Sequence, residues 1–587
     1  MISQFLKQAR ADEPVFITDV REDFSRTGKR PFHLHVKLYD DSSRRFEMWL
    51  PETASDEEEA FAASYVHAFI YNILSSLGAV TIEAYIDPED AVSVRLAGGL
   101  DSVFQTGIPK TMRSGYGKCM NVNERVLQVL SKGEKHFSFA VRNVKDEPKV
   151  RESVRTYDRE PVFAELPERA KTRRLLGIDI GGTDIKLVAS VNGKLAVCKE
   201  FDWNPSSFSE AEMLIDPVLL LTRLMRAGTA LASAGKEDQL DPKAFEKDAT
   251  TEEMKEGIAR MEAVLGHEPE NFDGIGLSFP DVVIDNKIVG GETYKTKGMR
   301  DNPDLDYETQ FAKISRLDEL LKAYVTDEGT VMNTNDGPMA AFTAAVELAA
   351  AGGDVSHGFF AHTLGTELGT GWVRPDGSIP GIPLEVYNFI IDLGSWKQKQ
   401  YPFSDVRSIN NFNTFLPGTL QKYTSQYGVF RLAAKYLPAR EQELMDEVME
   451  KGIFAMSKDV LAVPTAPKDM RKPALEFFMK KAAEGSSEVC RQIFREIGTF
   501  LAVTWQETEY ILHPEAKERS LFGRLVKVPA CYDLINEGAQ ARAPQLVQYA
   551  ADSSLANTDL MKQLDAHPDY TVAQFAQAVG ALYFGCL

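Results

Sequence analysis

The sequence predicts an α/β protein of two lobes, with an α+β domain in front of them. The main observation is an internal duplication: a short apolar strand, a glycine-rich turn and a returning strand occur at 175–191 and again from 359. The second observation is that the first 170 residues lack this device and instead alternate strand and helix patterns. Composition agrees with a folded chain, because 44% of its 587 residues are hydrophobic and 26% are charged. Bulk disorder, collagen and coiled coil are excluded.

The charge balance speaks against polyanionic partners. The chain has 66 Lys and Arg residues against 86 Asp and Glu residues, a formal net charge of −20. A field of that sign repels phosphate backbones and anionic lipids, and the sequence shows no long basic patch. We therefore expect neither nucleic acid nor a membrane as a partner, and a DNA-binding repressor is disfavoured.

The cysteines and the apolar runs indicate the compartment. The five cysteines are far apart, and no pair has the spacing of metal ligands. They are typical of reduced thiols in a reducing compartment. The N-terminus shows no signal-peptide pattern, and no run approaches 18 apolar residues. The sequence therefore predicts a cytoplasmic location.

Residues 1–170 are expected to form an α+β domain of unknown role. Alternation at 32–39 predicts a strand, and Ser55 with Glu58 predicts a capped helix that ends near Gly78. Further strands are expected near 80–86, 91–96 and 137–141. His33 and His35 share one strand face and could hold a metal, but without an identifiable third ligand a solvated face is favoured.

Three charged segments interrupt the remaining pattern. The stretch 145–174 contains several prolines and is interpreted as a linker or a surface arm. The segments near 201–270 and 430–485 are helical and charged, and we interpret them as insertions in the two lobes.

The first lobe, 175–340, begins with a strand at 175–180, the turn Gly181-Gly182-Thr183 and a strand at 185–191. Asn192-Gly193 then predicts a hairpin into a third strand at 195–201. The second lobe, 341–587, repeats the device with a strand at 359–364, the turn GTELGTG, a strand starting at Trp372 and a turn at Asp376-Gly377. Its late apolar helix, 573–584, is expected to return to the first lobe.

The turn within GIDIGGTDIK, residues 177–186, is a candidate phosphate cradle. It lacks the P-loop pattern, and it leads into a strand where a dinucleotide fold would need a helix. Asp179 at the strand end can hold hydrated Mg²⁺, while the turn amides and the Thr183 hydroxyl meet the outer phosphates. The alternative is an ordinary tight hairpin.

The segment VMNTNDGPMAA, from Val331, places a carboxylate at the end of a strand. Asp336 is well placed there to take a proton from a substrate hydroxyl, and Asn335 could hold a neighbouring hydroxyl. Taken alone, Asn-Asp before a helix is usually an N-cap.

Taken together, these motifs resemble the ROK family, within the sugar-kinase branch of the actin-like ATPase and hexokinase superfamily. The resemblance covers about 175–587 and rests on GIDIGGTDIK, GLSFPD (276–281), TNDGPMAA (334–341), GTELGTG (365–371), LFGRLVK (521–527) and AQAVGALYFG (576–585). It implies a two-lobed actin-like ATPase (ribonuclease H-like) fold, ATP and Mg²⁺ as cofactors, and Asp336 as the catalytic residue.

The resemblance also assigns the binding residues. It implies contacts to ATP and its phosphates from Gly181, Gly182, Thr183, Lys186, Gly365, Thr366, Gly369 and Gly523. It implies acceptor contacts from Asn335, Glu385, Asn388 and Gln421, and water-mediated Mg²⁺ binding by Asp179.

The chain departs from the family pattern mostly on the acceptor side. Asn388 replaces the histidine of a Glu-x-x-His pair, and Gln421 stands where a sugar-contacting glutamate would be. The stretch 410–425 lacks the family's zinc-binding cysteines, so no zinc is expected. Glu367 replaces a glycine in the second turn, which either lowers nucleotide affinity or means that the turn is displaced. Gly523 stands alone where the family usually has two glycines.

The function expected from this pattern is ATP-dependent phosphoryl transfer to a hydroxyl of a sugar or polyol. One alternative is a catalytically weak or inactive sugar sensor or scaffold, which Glu367, the missing histidine and the added domain favour. Another is an ATPase without an acceptor. Family analogy also implies a homodimer.

Overall fold

The computed structural model describes residues 2–131, 133–149, 161–290, 296–395, 400–546, 548–550 and 555–587. The fold is mixed α/β and divides into two compact units. Unit A takes the described residues of Met1–Arg155, His362–Thr370 and Ile382–Ala550, and unit B takes those of Thr156–Ala361, Gly371–Gly381 and Ala551–Leu587. The domain boundaries near 170 and 340 stay a prediction.

The N-terminal part of unit A, residues 2–131 and 133–149, contains a mixed sheet of strand order β2-β1-β4-β5, with β3 paired to β1. Its strands are β1 (Arg30–Lys37), β2 (Ser43–Phe46), β3 (Trp49–Leu50), β4 (Thr81–Ile86) and β5 (Ser138–Asn143). Its helices are α1 (Ile2–Arg10), α2 (Ile17–Thr27), α3 (Asp56–Ser76), α4 (Ala91–Gly98), α5 (Leu100–Val103) and α6 (Lys118–Ser131). The predicted strand at 32–39 is confirmed as β1, which ends two residues earlier at Lys37, and the helix capped by Ser55 is confirmed as α3.

The strand predicted at 91–96 is wrong, because this segment is helix α4. Asp90 caps the helix by accepting hydrogen bonds from the Val92 amide at 3.3 Å and from the Ser93 hydroxyl at 2.6 Å. The buried positions, Ser93, Leu96 and Ala97, are spaced as on one helix face.

The solvated face expected around His33 and His35 is also wrong, because both side chains are buried. His33 Nδ1 and His35 Nε2 each lie 2.8 Å from a Glu147 carboxylate oxygen, and Arg45 Nε donates to the same carboxylate at 2.7 Å. Desolvation acts against ionisation of Glu147, but hydrogen bonds from Arg45 and the two histidines outweigh it and lower its pKa to about 2. The cluster is a buried hydrogen-bond network that fixes Glu147 to β1.

Unit B is built around a five-stranded sheet of order β12-β9-β6-β7-β8. The strands are β6 (Arg174–Ile180), β7 (Asp184–Val191), β8 (Lys194–Asp202), β9 (Phe272–Phe279), β10 (Val283–Ile284), β11 (Lys287–Ile288) and β12 (Val325–Asn335). The helices are α7 (Leu166–Ala170), α8 (Glu212–Ser233), α9 (Thr251–Leu265), α10 (Lys297–Arg300), α11 (Tyr307–Ile314), α12 (Leu317–Leu321) and α13 (Asp336–Ala350). Strands β6, β9 and β12 are parallel, whereas β7 is antiparallel to β6 and β8.

The rest of the chain adds a four-stranded sheet of order β14-β13-β17-β18 and a helical layer. The strands are β13 (Phe359–Leu364), β14 (Leu368–Val373), β15 (Ala455–Ser457), β16 (Val460–Ala462), β17 (Arg519–Phe522) and β18 (Gln548–Ala550). The helices are α14 (Gln421–Thr424), α15 (Gln426–Arg440), α16 (Gln442–Glu450), α17 (Arg471–Ala483), α18 (Glu488–Leu512), α19 (Pro529–Arg542), α20 (Asp559–Asp565) and α21 (Val572–Phe584). Trp372 was expected to start a strand, but β14 starts four residues earlier.

Helix α21 packs directly on the sheet of unit B because the strands carry glycines where the helix crosses them. A Cβ atom on Gly177 would fall 1.9 Å from the Ala578 carbonyl oxygen, and one on Gly276 would fall 1.6 Å from that of Ala581. Helices α8 and α9 lie within the predicted insertion at 201–270, and their apolar residues join the sheet core.

Two further sequence expectations concern the linker and the membrane. Within 145–174, residues 150–160 lie outside the described residues, and α7 occupies 166–170. Among the residues that the structure describes, no helix has the length and apolar character needed to span a bilayer.

Candidate functional site

The first glycine turn, in unit B, points main-chain amides outward. The Gly181 amide closes the turn by donating to the Asp184 carbonyl oxygen at 2.8 Å, whereas the amides of Gly182 and Thr183 donate to no acceptor among the described residues. Trp203 binds two carbonyl oxygens of the turn. Its main-chain amide donates to Thr183 O and its Nε1 donates to Gly181 O, both at 3.0 Å. Two adjacent free amides suit an anionic oxygen.

Asp179 lies at the end of β6, beside that turn and near Asp336. Strands β6, β9 and β12 are parallel neighbours, so their carboxyl ends meet at one edge of the sheet. Desolvation, with a smaller contribution from the negative charge of Asp336, raises the pKa of Asp179 to about 6, against a hydrogen bond from Ser278 and the charge of Lys186. Two carboxylates this close favour a bound cation with oxygen ligands.

Asn335 fixes the start of the helix that carries Asp336. Its Oδ1 accepts from the Gly337 amide at 2.9 Å, so Asn335 is the N-cap of α13, and its Nδ2 donates to the Asp281 carbonyl oxygen at 2.7 Å. Asp336 is the first residue of the helix. Both polar ends of Asn335 are thus engaged in holding the strand–helix junction.

The second glycine motif also reaches this junction. Its last glycine, Gly371, lies at the end of β14 within unit B. A Cβ atom there would fall 2.2 Å from the Gly337 carbonyl oxygen and 2.6 Å from the side chain of Ala341. The main chain of β14 can therefore pack directly on the first turn of α13.

Lys186 is bound to carboxylates. It is the β7 partner of Asp179 on β6. Its Nζ contacts Asp184 Oδ1 and lies 4.0 Å from Glu200 Oε1. Its charge is therefore partly neutralised by acidic neighbours on β7 and β8.

The second glycine turn, in unit A, is closed over two residues, whereas the first is closed over three. The Gly365 amide donates to Glu367 O at 3.1 Å, and Gly365 O accepts from the Gln426 amide at 2.9 Å. The amides of Thr366 and Glu367 donate to no acceptor within the described part of the chain. Gly369 lies outside the turn, in β14, where a Cβ atom would meet Thr363 at 3.4 Å.

Glu367 is an exposed carboxyl in that turn. Partial desolvation by the surrounding protein raises its pKa to about 7, against a side-chain hydrogen bond from Gln421 and the charge of Lys422. The residue expected near the phosphates thus interacts with a residue expected at the acceptor.

Gly523 approaches the second turn closely. Its φ of +93° lies in a region that only glycine adopts readily, and a Cβ atom there would fall 2.5 Å from the Leu364 carbonyl oxygen. Leu364 is the last residue of β13, so Gly523 and the turn are brought together.

The predicted acceptor residues of unit A gather around the loop 411–414. Asn388 Oδ1 accepts from Asn411 Nδ2 at 3.3 Å, and Gln421 Oε1 accepts from the Phe412 amide at 3.0 Å. Burial raises the pKa of Tyr387, and the charge of Glu385 together with a hydrogen bond to it raises that pKa further. The loop therefore orients both amide side chains.

Sequence reasoning missed three residues at these sites. Ser278 and Gln577 lie inside quoted motifs, and Lys422 follows Gln421 directly. Lys422 is only 3% exposed, and its Nζ lies 4.0 Å from the centre of the Phe412 ring. Desolvation lowers its pKa to about 8. The motif positions of Ser278 and Gln577 were the available signal, but their contact joins distant parts of the chain.

The chain was compared with family models, curated proteins and solved structures. No protein-family model matches the chain, and no curated protein matches its sequence. The solved structures similar to it include a ROK hexokinase from Thermus thermophilus, with 13% identity, a TM-score of 0.36 and coverage of 70% of this chain and 97% of that one. A glucokinase from Leishmania braziliensis shows 12% identity and a TM-score of 0.36, and the match covers 72% of this chain and 97% of that one. A ROK family protein from Streptococcus pneumoniae, solved with sucrose, shows 13% identity and a TM-score of 0.35, and the match covers 70% of this chain and 96% of that one. At these values the function has to be argued from the residues themselves.

Proposed function

We propose that this protein transfers a phosphoryl group from ATP to a hydroxyl of a sugar or polyol. The observation that carries the proposal is the pair Asp179 and Asp336, which share one edge of the unit B sheet beside two free turn amides. A catalytic carboxylate, a cation-holding carboxylate and main-chain donors are what phosphoryl transfer needs from a protein.

The residues fit Mg²⁺ and a polyphosphate. Asp179 and Asp336 present hard oxygen donors whose mutual repulsion a cation would relieve, and Asp179 would hold Mg²⁺ through water. In unit B, the amides of Gly182 and Thr183 would bind phosphate oxygens. In unit A, the amides of Thr366 and Glu367 suit the same kind of ligand, and Gly523 would contact the adenosine. Bound Mg²⁺ supplies neutralisation of phosphate charge.

Asp336 orients the acceptor hydroxyl and takes its proton during transfer. Asn335 and Gln577 both bind the peptide unit that joins Asp336 to Gly337, so the carboxylate keeps its place at the helix start. Glu385, Asn388 and Gln421 bind the acceptor. The two amides stay neutral through the physiological range, which suits hydroxyl groups.

The fold proposed with this function is the two-lobed actin-like ATPase architecture, with an additional N-terminal α+β domain over 1–170. A cytoplasmic location and a homodimer stay predictions. All five cysteines are buried free thiols.

The test is ADP release with MgATP over a panel of D-glucose, D-mannose, N-acetyl-D-mannosamine and glycerol. We expect one sugar or polyol to stimulate ADP release and to appear as a phosphate ester by mass spectrometry. ADP release without any acceptor would indicate an ATPase. If no compound of the panel stimulates ADP release while thermal shift detects sugar binding, the result would favour the sensor and overturn the proposal.

A further inference from the structure

The segment 384–393, which carries Glu385 and Asn388, is bound on two sides by the N-terminal part of unit A. At the C-terminal end of α3, Ser76 O accepts from the Leu384 amide at 2.9 Å, and Ser75 O accepts from the Glu385 amide at 3.0 Å. Further along, the Ile17 amide donates to Ile391 O at 3.0 Å, and Val15 O accepts from the Leu393 amide at 2.8 Å. The main chain of the segment is therefore fixed by residues about 300 or more positions away.

Asn72 of α3 also binds the segment 384–393, at Ile390, between the contacts made by Ser75 and Ser76 and those made by Val15 and Ile17. Its Oδ1 accepts from the Ile390 amide at 2.8 Å, and its Nδ2 donates to Ile390 O at 3.1 Å and to Glu507 Oε1 at 3.0 Å. The side chain is fully buried. It pairs with Ile390 as a neighbouring strand would, and its hydrogen-bonding groups are satisfied.

Glu507 and Arg21 hold Asn72 in place. The Glu507 side chain is fully buried on α18, and its second oxygen contacts Arg21 Nη2. The Arg21 guanidinium lies 4.2 Å from the centre of the Tyr510 ring and 4.9 Å from that of Phe69. A buried charge pair is costly to break, so α2, α3 and α18 keep one relative position.

We propose that Asn72 is a positioning residue of the acceptor site, and that the N-terminal part of unit A serves that site by fixing the segment 384–393. The inference rests on the proposed function, because it takes Glu385 and Asn388 as acceptor-binding residues. Asn72 acts through the Ile390 main chain, two residues after Asn388. The effect of its loss should therefore fall on acceptor binding.

The chain offers a matched control in Asn123. This side chain is also fully buried in the N-terminal part, and it pairs with one main-chain unit in the same way. Its Oδ1 accepts from the Ala79 amide at 2.9 Å and its Nδ2 donates to Ala79 O at 2.9 Å. The hydrogen bonds of Asn123 stay within the N-terminal part.

The experiment compares full-length Asn72→Leu, Asn72→Ala and Asn123→Leu with the wild type. Steady-state kinetics use the sugar that the wild type phosphorylates best, with MgATP. We expect the Asn72 variants to raise the acceptor KM roughly tenfold to a hundredfold, as for a misplaced binding group, with the KM for ATP unchanged. Asn123→Leu should leave both KM values unchanged. An unchanged acceptor KM in the Asn72 variants, or an equal rise in Asn123→Leu, would overturn the inference.

A second measurement does not depend on catalysis. Hydrogen–deuterium exchange of the peptide 384–393 should accelerate in the Asn72 variants and stay unchanged in Asn123→Leu; equal exchange in all variants overturns the inference. If the wild type phosphorylates none of the panel, the proposed function fails, and the exchange data alone decide whether Asn72 fixes the segment. If both Asn72 variants fail to fold while Asn123→Leu folds, Asn72 serves stability alone and the inference falls.

Discussion

Gln577 Nε2 donates to the main-chain carbonyl oxygen of Asp336 at 3.2 Å. The same nitrogen lies 2.9 Å from Ser278 Oγ, and Ser278 in turn hydrogen-bonds Asp179. Helix α21 thereby links both carboxylates of the candidate site, although it lies more than 200 residues later in the chain. Proper placement of Asp336 depends on this helix.

Replacing Gln577 with leucine should lower kcat about tenfold, because the carboxylate loses one of its main-chain restraints. The KM for ATP should change little, since the turn amides are untouched. Gln574→Leu is the control: it sits one turn earlier on α21, where Gln574 completes a capping box with Thr571. That variant should lower the melting temperature with kcat preserved. Equal kcat in the two variants would contradict the role of Gln577.

Asp336→Asn should lower kcat by about a hundredfold to ten-thousandfold, because the amide cannot accept the acceptor's proton. The fold should persist, since Asn335 still caps α13. Asp327→Asn, an exposed position near the opposite end of β12, is the control and should behave like the wild type. Circular dichroism and steady-state rates check both. Normal turnover by Asp336→Asn would remove the proposed base.

Gly181→Ala should raise the KM for ATP tenfold or more. The new Cβ would lie 2.7 Å from Asp184 O and 2.8 Å from Asp184 Oδ1, so the turn must open and its free amides must move. Gly98→Ala is the control, because a Cβ on that exposed helical glycine meets no atom within 4 Å. Isothermal titration with ADP and Mg²⁺ measures the change. Unaltered nucleotide affinity would mean that this turn does not hold the phosphates.

Glu367→Gln should stabilise the protein at pH 8 and change little at pH 5. The folded-state pKa of about 7 exceeds the ordinary value of 4.5, so the folded form holds the proton more tightly than the unfolded form. The resulting stability is fully present below pH 4.5 and is lost as pH rises through 7. The shift in melting temperature should be small because the side chain is open to solvent.

The same substitution tests whether Glu367 repels the nucleotide. At pH 8 the variant should bind ATP a few-fold more tightly than the wild type, whereas at pH 5 the two affinities should converge. An affinity gap that does not change with pH would show that the carboxylate charge is not what the phosphates meet.

Local chemistry explains which parts of the fold could be predicted. The hairpin Asn192-Gly193 adopts φ values of +52° and +74°, a conformation that these two residues favour, and the pairing of β7 with β8 follows from it. At 91–96, by contrast, AVSVRL alternates like a strand, and the cap from Asp90 decides for a helix. Periodicity over six residues does not separate the two.

The site residues also divide into those that local sequence could predict and those that depend on contacts between distant segments. Asp179, Asp336 and the glycine turns lie in short contiguous motifs, so their types and spacing indicated the chemistry. Asn335 was expected to hold an acceptor hydroxyl, but its side chain is occupied by Gly337 and Asp281. Such hydrogen bonds depend on how β9 and α13 approach, which one strand's sequence does not contain.

The buried carboxylate of Glu507 has a consequence for dissecting this protein. Its partners, Arg21 and Asn72, both belong to the N-terminal part, so a chain trimmed to begin at residue 161 would lose the ion pair and the hydrogen bond that hold this carboxylate. Such a fragment should aggregate or melt early. The N-terminal part and the helical layer are therefore expected to depend on each other for stability.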